Sequence, residues 1–155
     1  MAIGNPSNYL KYDPIFGTLD LDDEYITDAW LIDQFVGNKL FTCGYNSFGQ
    51  LGNITTTTYS SPLQIGTLSN WQKIGSGNFH SAAIKTDGTL WTWGLNAVGQ
   101  LGNGSITNYS SPIQIGANTN WKQVTGGFNH TVSVKTDGSL WAMGNNTFGQ
   151  LGVTN

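Results

Sequence analysis

Leu90, Trp91 and Trp93 place apolar side chains on both alternations of one short extended segment. A strand that covers a core on one face only is apolar at every second position, so this segment belongs to a sheet covered on both faces. Ser81–Lys85 and Thr89–Trp93 flank Asp87-Gly88, and Thr131–Lys135 and Ser139–Met143 flank Asp137-Gly138. Each pair is a tight hairpin by the strongest short turn signal a sequence offers. A third strand is expected at Trp71–Gly75 and at Trp121–Thr125. A fourth is expected at Pro62–Gly66 and at Pro112–Gly116, where proline suits the first residue of a strand or an edge.

These elements recur with a period of fifty residues. Leu-Phe-Thr-Cys-Gly-Tyr-Asn-Ser-Phe-Gly-Gln-Leu-Gly at 40–52 returns in varied form at 90–102 and at 140–152, keeping its Leu, Gly, Asn and closing Gly-Gln-Leu-Gly, and residues 53–102 match 103–152 without a gap at half of their positions. A period of this length marks a module that buries its apolar faces against its neighbours. Four strands per period is a propeller blade. The fold class is therefore all-β, a β-propeller with four-stranded blades and a fifty-residue repeat. The chain supplies about two and a half blades, an incomplete ring. It divides into an irregular N-terminal docking arm at 1–27 and propeller repeats at 28–155. Within the repeats, 28–52 is a divergent half-blade, 53–102 and 103–152 are full repeats, and 153–155 starts the next unit. Closed propellers have four to eight blades, so the chain is expected to be part of a longer protein, or several copies complete a ring together.

The phrase Leu-Trp/Phe…Gly…Asn…Gly-Gln-Leu-Gly, with Gly-x-x-His-x-x-x-x-Lys-Thr-Asp-Gly upstream of it, closely resembles the repeat of the regulator of chromosome condensation family over about residues 28–155. The resemblance implies the same propeller, seven-bladed in the founding member. It leaves the function open, because the family includes nucleotide-exchange factors, enzyme-linked domains and bacterial and viral proteins, and fold does not fix function.

Charge changes the picture by its scarcity. Charged residues make up 10% of the chain, arginine is absent, and the formal net charge is -3. The acids crowd into residues 1–38, whereas 39–155 carries five dispersed lysines and two aspartates. Phosphate recognition calls for clustered Lys and Arg, so a nucleic-acid partner is not expected. No signal-like leader and no membrane-length apolar run is visible, so neither secretion nor a membrane partner is expected.

The N-terminal region departs from the repeat. Asp28–Gln34 and Val36–Phe41 stand one period before the Gly-x-x-His hairpin, giving a hairpin that turns at Gly37-Asn38. An amphipathic helix over Asp22–Phe35 is the rival reading, and the register favours the hairpin. In the arm, Tyr9, Leu10, Tyr12, Ile15 and Phe16 are interspersed with Pro6 and Pro14. Aromatic residues without periodicity fit an extended segment that docks on a partner or across the chain's own blades.

No catalytic constellation stands out, and the protein is expected not to be an enzyme and to need no cofactor or metal. His80 and His130 fill the same repeat slot, which favours a structural hydrogen-bonding role. Asp87 and Asp137 are accounted for by turn chemistry. The acidic run Asp20, Asp22, Asp23 and Glu24 lacks the glycine and the spaced glutamate of a calcium loop. Cys43 shares its slot with Trp93 and Met143, which makes it a core residue.

The function expected is that of a structural or interaction protein. The Thr-, Asn- and Gly-rich repeat most resembles bacterial and bacteriophage members of the family, which points to a phage virion component: a tail fibre, a tail-associated protein or a capsid-surface protein. Such a protein is assembled in the host cytoplasm and located in the virion. The arm would bind other virion or assembly proteins, within an oligomer or larger assembly, and the blades would contact a host-surface glycan or protein. Tyr59 and Tyr109, placed in surface loops, are the candidate binding residues. The alternatives are a carbohydrate- or protein-binding propeller module and, below it, a guanine-nucleotide exchange factor. Exchange on a small GTPase would require a wedge departing from the repeat, and residues 40–155 contain no such insertion.

Overall fold

The computed structural model describes residues 12–13, 18–19, 30–34 and 38–153. Every regular element among them is a strand: β1 Tyr12–Asp13, β2 Thr18–Leu19, β3 Trp30–Gln34, β4 Lys39–Gly44, β5 Tyr59–Gln64, β6 Trp71–Ser76, β7 His80–Lys85, β8 Leu90–Gly94, β9 Tyr109–Gln114, β10 Trp121–Gly126, β11 His130–Lys135 and β12 Leu140–Gly144. They form a two-stranded ladder β1-β2 and three antiparallel blades, β3-β4-β5, β6-β7-β8-β9 and β10-β11-β12. The fold is all-β, and the propeller ring is incomplete.

The Asp-Gly hairpins close as three-residue loops. Gly88, at φ 78°, donates its N–H to the Lys85 carbonyl, while the Lys85 N–H returns to Thr89. Asp87 fixes the turn by accepting from the Thr89 N–H at 3.0 Å and from its hydroxyl at 2.6 Å, and Asp137 does the same for Ser139.

The fourth strand differs from its expected position. It begins at Tyr59 and Tyr109, not at Pro62 and Pro112, because each proline sits beside a register shift in an outer strand. Thr42 faces Leu63 while Gly44 faces Tyr59, and the residues between them are accommodated by that irregularity. Proline is tolerated in such a place because no ladder hydrogen bond is demanded of it. The strand stops at Gln64, two residues before the left-handed Gly66. Physical blades are also out of phase with the sequence period. The second blade spans 71–114, taking its outer strand β9 from the following repeat.

In the first blade β3 pairs with β4 from Trp30 opposite Cys43 to Gln34 opposite Lys39, in the register of the later hairpins. Residues 30–34 are therefore extended and not helical, and Asn38 turns the chain at φ 52°. Of the arm residues, Tyr12 opens β1 opposite Leu19. Tyr9, Leu10, Ile15 and Phe16 lie outside the described residues, as do Asp20, Asp22, Asp23 and Glu24.

The core lies between blades. Leu40 and Ile65 of the first blade meet Trp71, Ala83 and Trp93 of the second. Ala82, Ile84, Leu90 and Ile115 of the second meet Trp121 and Val124 of the third. The innermost strands approach so closely that a Cβ on Gly126 would stand 2.4 Å from the Gly77 nitrogen, and one on Gly75 2.7 Å from the Val124 carbonyl oxygen.

Candidate interaction surface

Antiparallel pairing sorts the connections by direction. Segments 45–58, 77–79, 95–108, 127–129 and 145–153 lie at one end of the strands, here the upper end, and segments 65–70, 86–89, 115–120 and 136–139 at the other. Between residues 38 and 153 the charged residues are Lys39, Lys73, Lys85, Asp87, Lys122, Lys135 and Asp137. All sit in strands or in the lower turns. The upper connections carry no charge.

A buried asparagine organises each of the two long connections, 45–58 and 95–108. The Asn96 side-chain oxygen accepts the Leu101 N–H at 3.0 Å, and its amide nitrogen lies within 3.1 Å of the Asn103 side chain and of the Ser105 and Thr107 carbonyls. Asn46 repeats the pattern with Leu51, Asn53, Thr55 and Thr57. Gln50 and Gln100 brace the same turns by accepting from the N–H groups of Phe48 and Val98. The Gln50 carbonyl then accepts from Ser81 and from the Trp93 indole of the next blade, each at 2.8 Å.

On this scaffold stand apolar groups. Tyr45, Phe48 and Phe79 form an aromatic cluster with Phe48 and Phe79 centroids 5.0 Å apart. Val98, Phe128 and Phe148 are exposed, as are Ile54 and Ile106 in the longer connections. An uncharged surface with rigid aromatic and aliphatic groups suits apolar contact with a protein.

Tyr59 and Tyr109 are not loop residues. They are the first residues of β5 and β9, opposite Gly44 and Gly94, and are half-buried at the upper end. The upper-end apolar set was missed in the sequence. Its signal was the absence of charge from every upper connection, readable once strand direction is known.

The candidate chemical groups serve the structure. His80 is buried, and burial first, then the nearby His130, lowers its pKa to about 4. Its Nε2 stands 2.9 Å from the Thr131 hydroxyl of the third blade. Lys85 lies between two rings, 4.8 Å from the Trp71 centroid and 3.6 Å from that of Trp91, and burial lowers its pKa against the opposing effect of Asp87. The Lys135 ammonium lies between two rings in the same way, 4.9 Å from the Trp121 centroid and 4.0 Å from that of Trp141. Asp87 is held below its usual range by the Thr89 hydroxyl and N–H. Cys43 is buried, and burial raises its thiol pKa, which disfavours the reactive thiolate. Among the described residues no group of three or more His, Cys, Asp or Glu side chains is placed to hold a metal ion. No helix there is long and apolar enough to cross a membrane.

Models of the regulator of chromosome condensation (RCC1) repeat match residues 38–84 and 87–134, and a second model of the repeat matches 71–100 and 121–150. The chain belongs to the RCC1 repeat family. Among solved structures it is similar to human WBSCR16, at 27% identity and a TM-score of 0.71, over 83% of this chain and 34% of that one. It is also similar to Prp20p from Saccharomyces cerevisiae, studied for its binding to Gsp1p and histones, at 25% identity and a TM-score of 0.66, over 76% of this chain and 29% of that one. Yeast RCC1 (Prp20) in a complex with Kap60 aligns at 25% identity and a TM-score of 0.69, over 83% and 30%. The chain thus spans about a third of these relatives. Among curated protein sequences none matches it significantly.

Proposed function

We propose that this chain is a non-enzymatic interaction module whose upper end receives a protein partner. The observation that carries the reading is the segregation of charge: the upper connections present Val98, Phe128, Ile54 and Ile106, while every charged residue from 38 to 153 lies elsewhere. A relative of the fold, Prp20, studied for its binding to Gsp1p and histones and solved with Kap60, supports a protein ligand. A histone-like basic partner fits poorly, since the upper end offers no acid. Guanine-nucleotide exchange fits poorly too, since the connections 45–58 and 95–108 keep the same length and bring in no added wedge.

More specifically, the chain is a bacteriophage virion component, anchored by its N-terminal arm, with the blades displayed toward a host-surface protein or glycan. The Thr- and Asn-rich connections and the gapless period support this reading. Many copies on one particle would let weak contacts act together through avidity.

A photo-reactive phenylalanine analogue in place of Phe128, compared with one in place of Asn118 at the lower end, tests the platform. Cross-links to a protein are expected from position 128 and not from 118; equal yields from both positions, or none from 128, would sink it. Mass spectrometry of gradient-purified particles tests the virion reading. Its peptides must co-purify with the particles at a fixed stoichiometry, and their absence rejects the location while leaving the platform standing.

A further inference from the structure

β4 and β8 are each covered on their outer edge by a strand of nearly one sequence, Tyr-Ser-Ser-Pro-Leu-Gln-Ile-Gly at 59–66 and Tyr-Ser-Ser-Pro-Ile-Gln-Ile-Gly at 109–116. The register is the same both times: Phe41 and Trp91 face the glutamine, Thr42 and Thr92 the leucine or isoleucine, and Gly44 and Gly94 the tyrosine. Just past the strand, the N–H of Ile65 or Ile115 donates to the carbonyl of Leu40 or Leu90 at 2.8 Å. β12 holds the same slots with Leu140, Trp141, Ala142 and Gly144, yet among the described residues no strand lies on that edge.

The uncovered edge keeps the form of the covered ones. Leu140 is 68% exposed, whereas Leu40 and Leu90 are buried in clusters that contain Ile65 and Ile115. Gly144 has φ 112°, against 107° and 100° at the two glycines that face a tyrosine. The connection beside the edge is shaped in advance as well. In the preceding period the Ile54 N–H donates to the Ser110 carbonyl of β9 at 2.7 Å, and a Cβ on Gly49 would stand 2.5 Å from the Ser110 Cα. One period on, Gly104 holds the slot of Ile54 and Gly99 that of Gly49, and a Cβ on Gly99 meets nothing within 4 Å. Asn96 holds the connection 95–108 in its form with this space open.

An open edge recruits an extended segment through ladder hydrogen bonds, and the slots for alternate side chains select its sequence. We propose that β12 takes, as a fourth strand, an extended segment of a separate polypeptide with the pattern Tyr-Ser-Ser-Pro-Leu/Ile-Gln-Ile-Gly. The chain's own two segments of this pattern are engaged by β4 and β8. The tyrosine lies opposite Gly144, the leucine or isoleucine opposite Ala142 and the glutamine opposite Trp141, while the last isoleucine donates to the Leu140 carbonyl and covers its side chain. Proline falls at the shift in register, where the ladder demands no N–H. The site reads backbone and sequence pattern, and it does not depend on the apolar platform of the upper end.

The test uses the 155-residue chain and a synthetic peptide with the sequence of residues 107–118, followed by calorimetry and by amide hydrogen exchange. One-to-one binding is expected, with slowed exchange across 140–144. Methylating the peptide nitrogen at the position of Ile115 removes the donor to the Leu140 carbonyl and is expected to weaken binding about tenfold or more. The N–H at the position of Gln114 points to the other side of the strand, so methylation there should change the affinity less than about threefold. No saturable binding at millimolar peptide, equal losses from the two methylations, or protection that leaves 140–144 unchanged would overturn the proposal. A chain that associates with itself through this edge and so refuses the peptide would overturn the separate source and make a second copy the occupant. Cross-linking from position 128 is expected to be the same with and without the peptide, which keeps the two readings distinguishable.

Discussion

The Thr131 hydroxyl donates to the Gln100 carbonyl at 2.7 Å, joining the third blade to the second. With its proton so committed, that hydroxyl accepts from His80, so His80 carries its proton on Nε2 and leaves Nδ1 buried without a hydrogen-bond partner. The folded state therefore favours neutral His80, with a pKa of about 4 against an ordinary 6.5. Because the folded pKa is the lower one, the unfolded chain takes up the proton first. Stability is flat above pH 6.5 and falls as pH drops from 6.5 to 4, by about 3 kcal/mol in total. His80→Gln keeps an N–H donor without titrating. Urea unfolding at pH 7, 5.5 and 4 is expected to show the loss in the natural chain and a much shallower one in the variant; equal slopes would exclude His80 as the cause.

Much of this arrangement is legible in the sequence, and the limits are physical. The Asp87-Gly88 and Asp137-Gly138 hairpins are encoded locally, since Asp supplies the acceptor and Gly the positive φ, and both fall where expected. The outer strands begin three residues before Pro62 and Pro112, the residues that read locally as strand starts. A register shift that admits proline depends on the neighbouring strand, which local sequence does not reveal, and for the same reason Tyr59 and Tyr109 read as loop residues. Nor does the period say where a blade begins, because β8 finds β9 beyond a repeat boundary. The uncharged upper end is invisible until strand directions sort the connections, although every residue that defines it was in plain view.

Asn96 organises residues 101–107 from a fully buried position, while its counterpart Asn146 is half-buried and more weakly enclosed. Asn96→Ala would strand the Leu101 N–H and two carbonyls, at a cost of about 2–3 kcal/mol. Asn146→Ala is expected to cost less than half of that. Denaturant midpoints measure the difference, and hydrogen exchange should show that Asn96→Ala loosens 97–108 first. Equal losses in the two variants would mean that burial does not set the cost.

Lys85 and Lys135 test the value of a cation between tryptophans. Lys85 and Lys135 are both buried between their rings, but the outer ring differs: Trp91 is half-buried, whereas Trp141 is exposed to water. Water weakens the attraction of an ammonium for a ring, so Lys85→Met should lose about 1–2 kcal/mol and Lys135→Met about 0.5 kcal/mol. Methionine retains most of the stem, which isolates the charge from the packing. If both variants unfold at the natural midpoint, the lysines contribute only through their methylene groups.

Gly126 and Gly138 separate two reasons for glycine. Gly138 has φ 86° and open space around it, so alanine there is opposed by backbone conformation alone. Gly126 has no positive φ, but a Cβ would meet the Gly77 nitrogen at 2.4 Å and the Ser76 carbonyl carbon at 2.6 Å, both backbone atoms of the second blade. Backbone cannot swing aside as a side chain does, so the second and third blades must separate to admit the methyl group. Gly126→Ala is therefore expected to cost about 3 kcal/mol and to weaken the Thr131–Gln100 bond, whereas Gly138→Ala should cost about 1 kcal/mol and leave the blade boundary unchanged. Tryptophan fluorescence provides the local check, because Trp121 is buried at that boundary. A red shift is expected in Gly126→Ala and none in Gly138→Ala. A Gly126→Ala variant with natural stability and emission would show that the blades are not held at the contact distance on which their stacking depends.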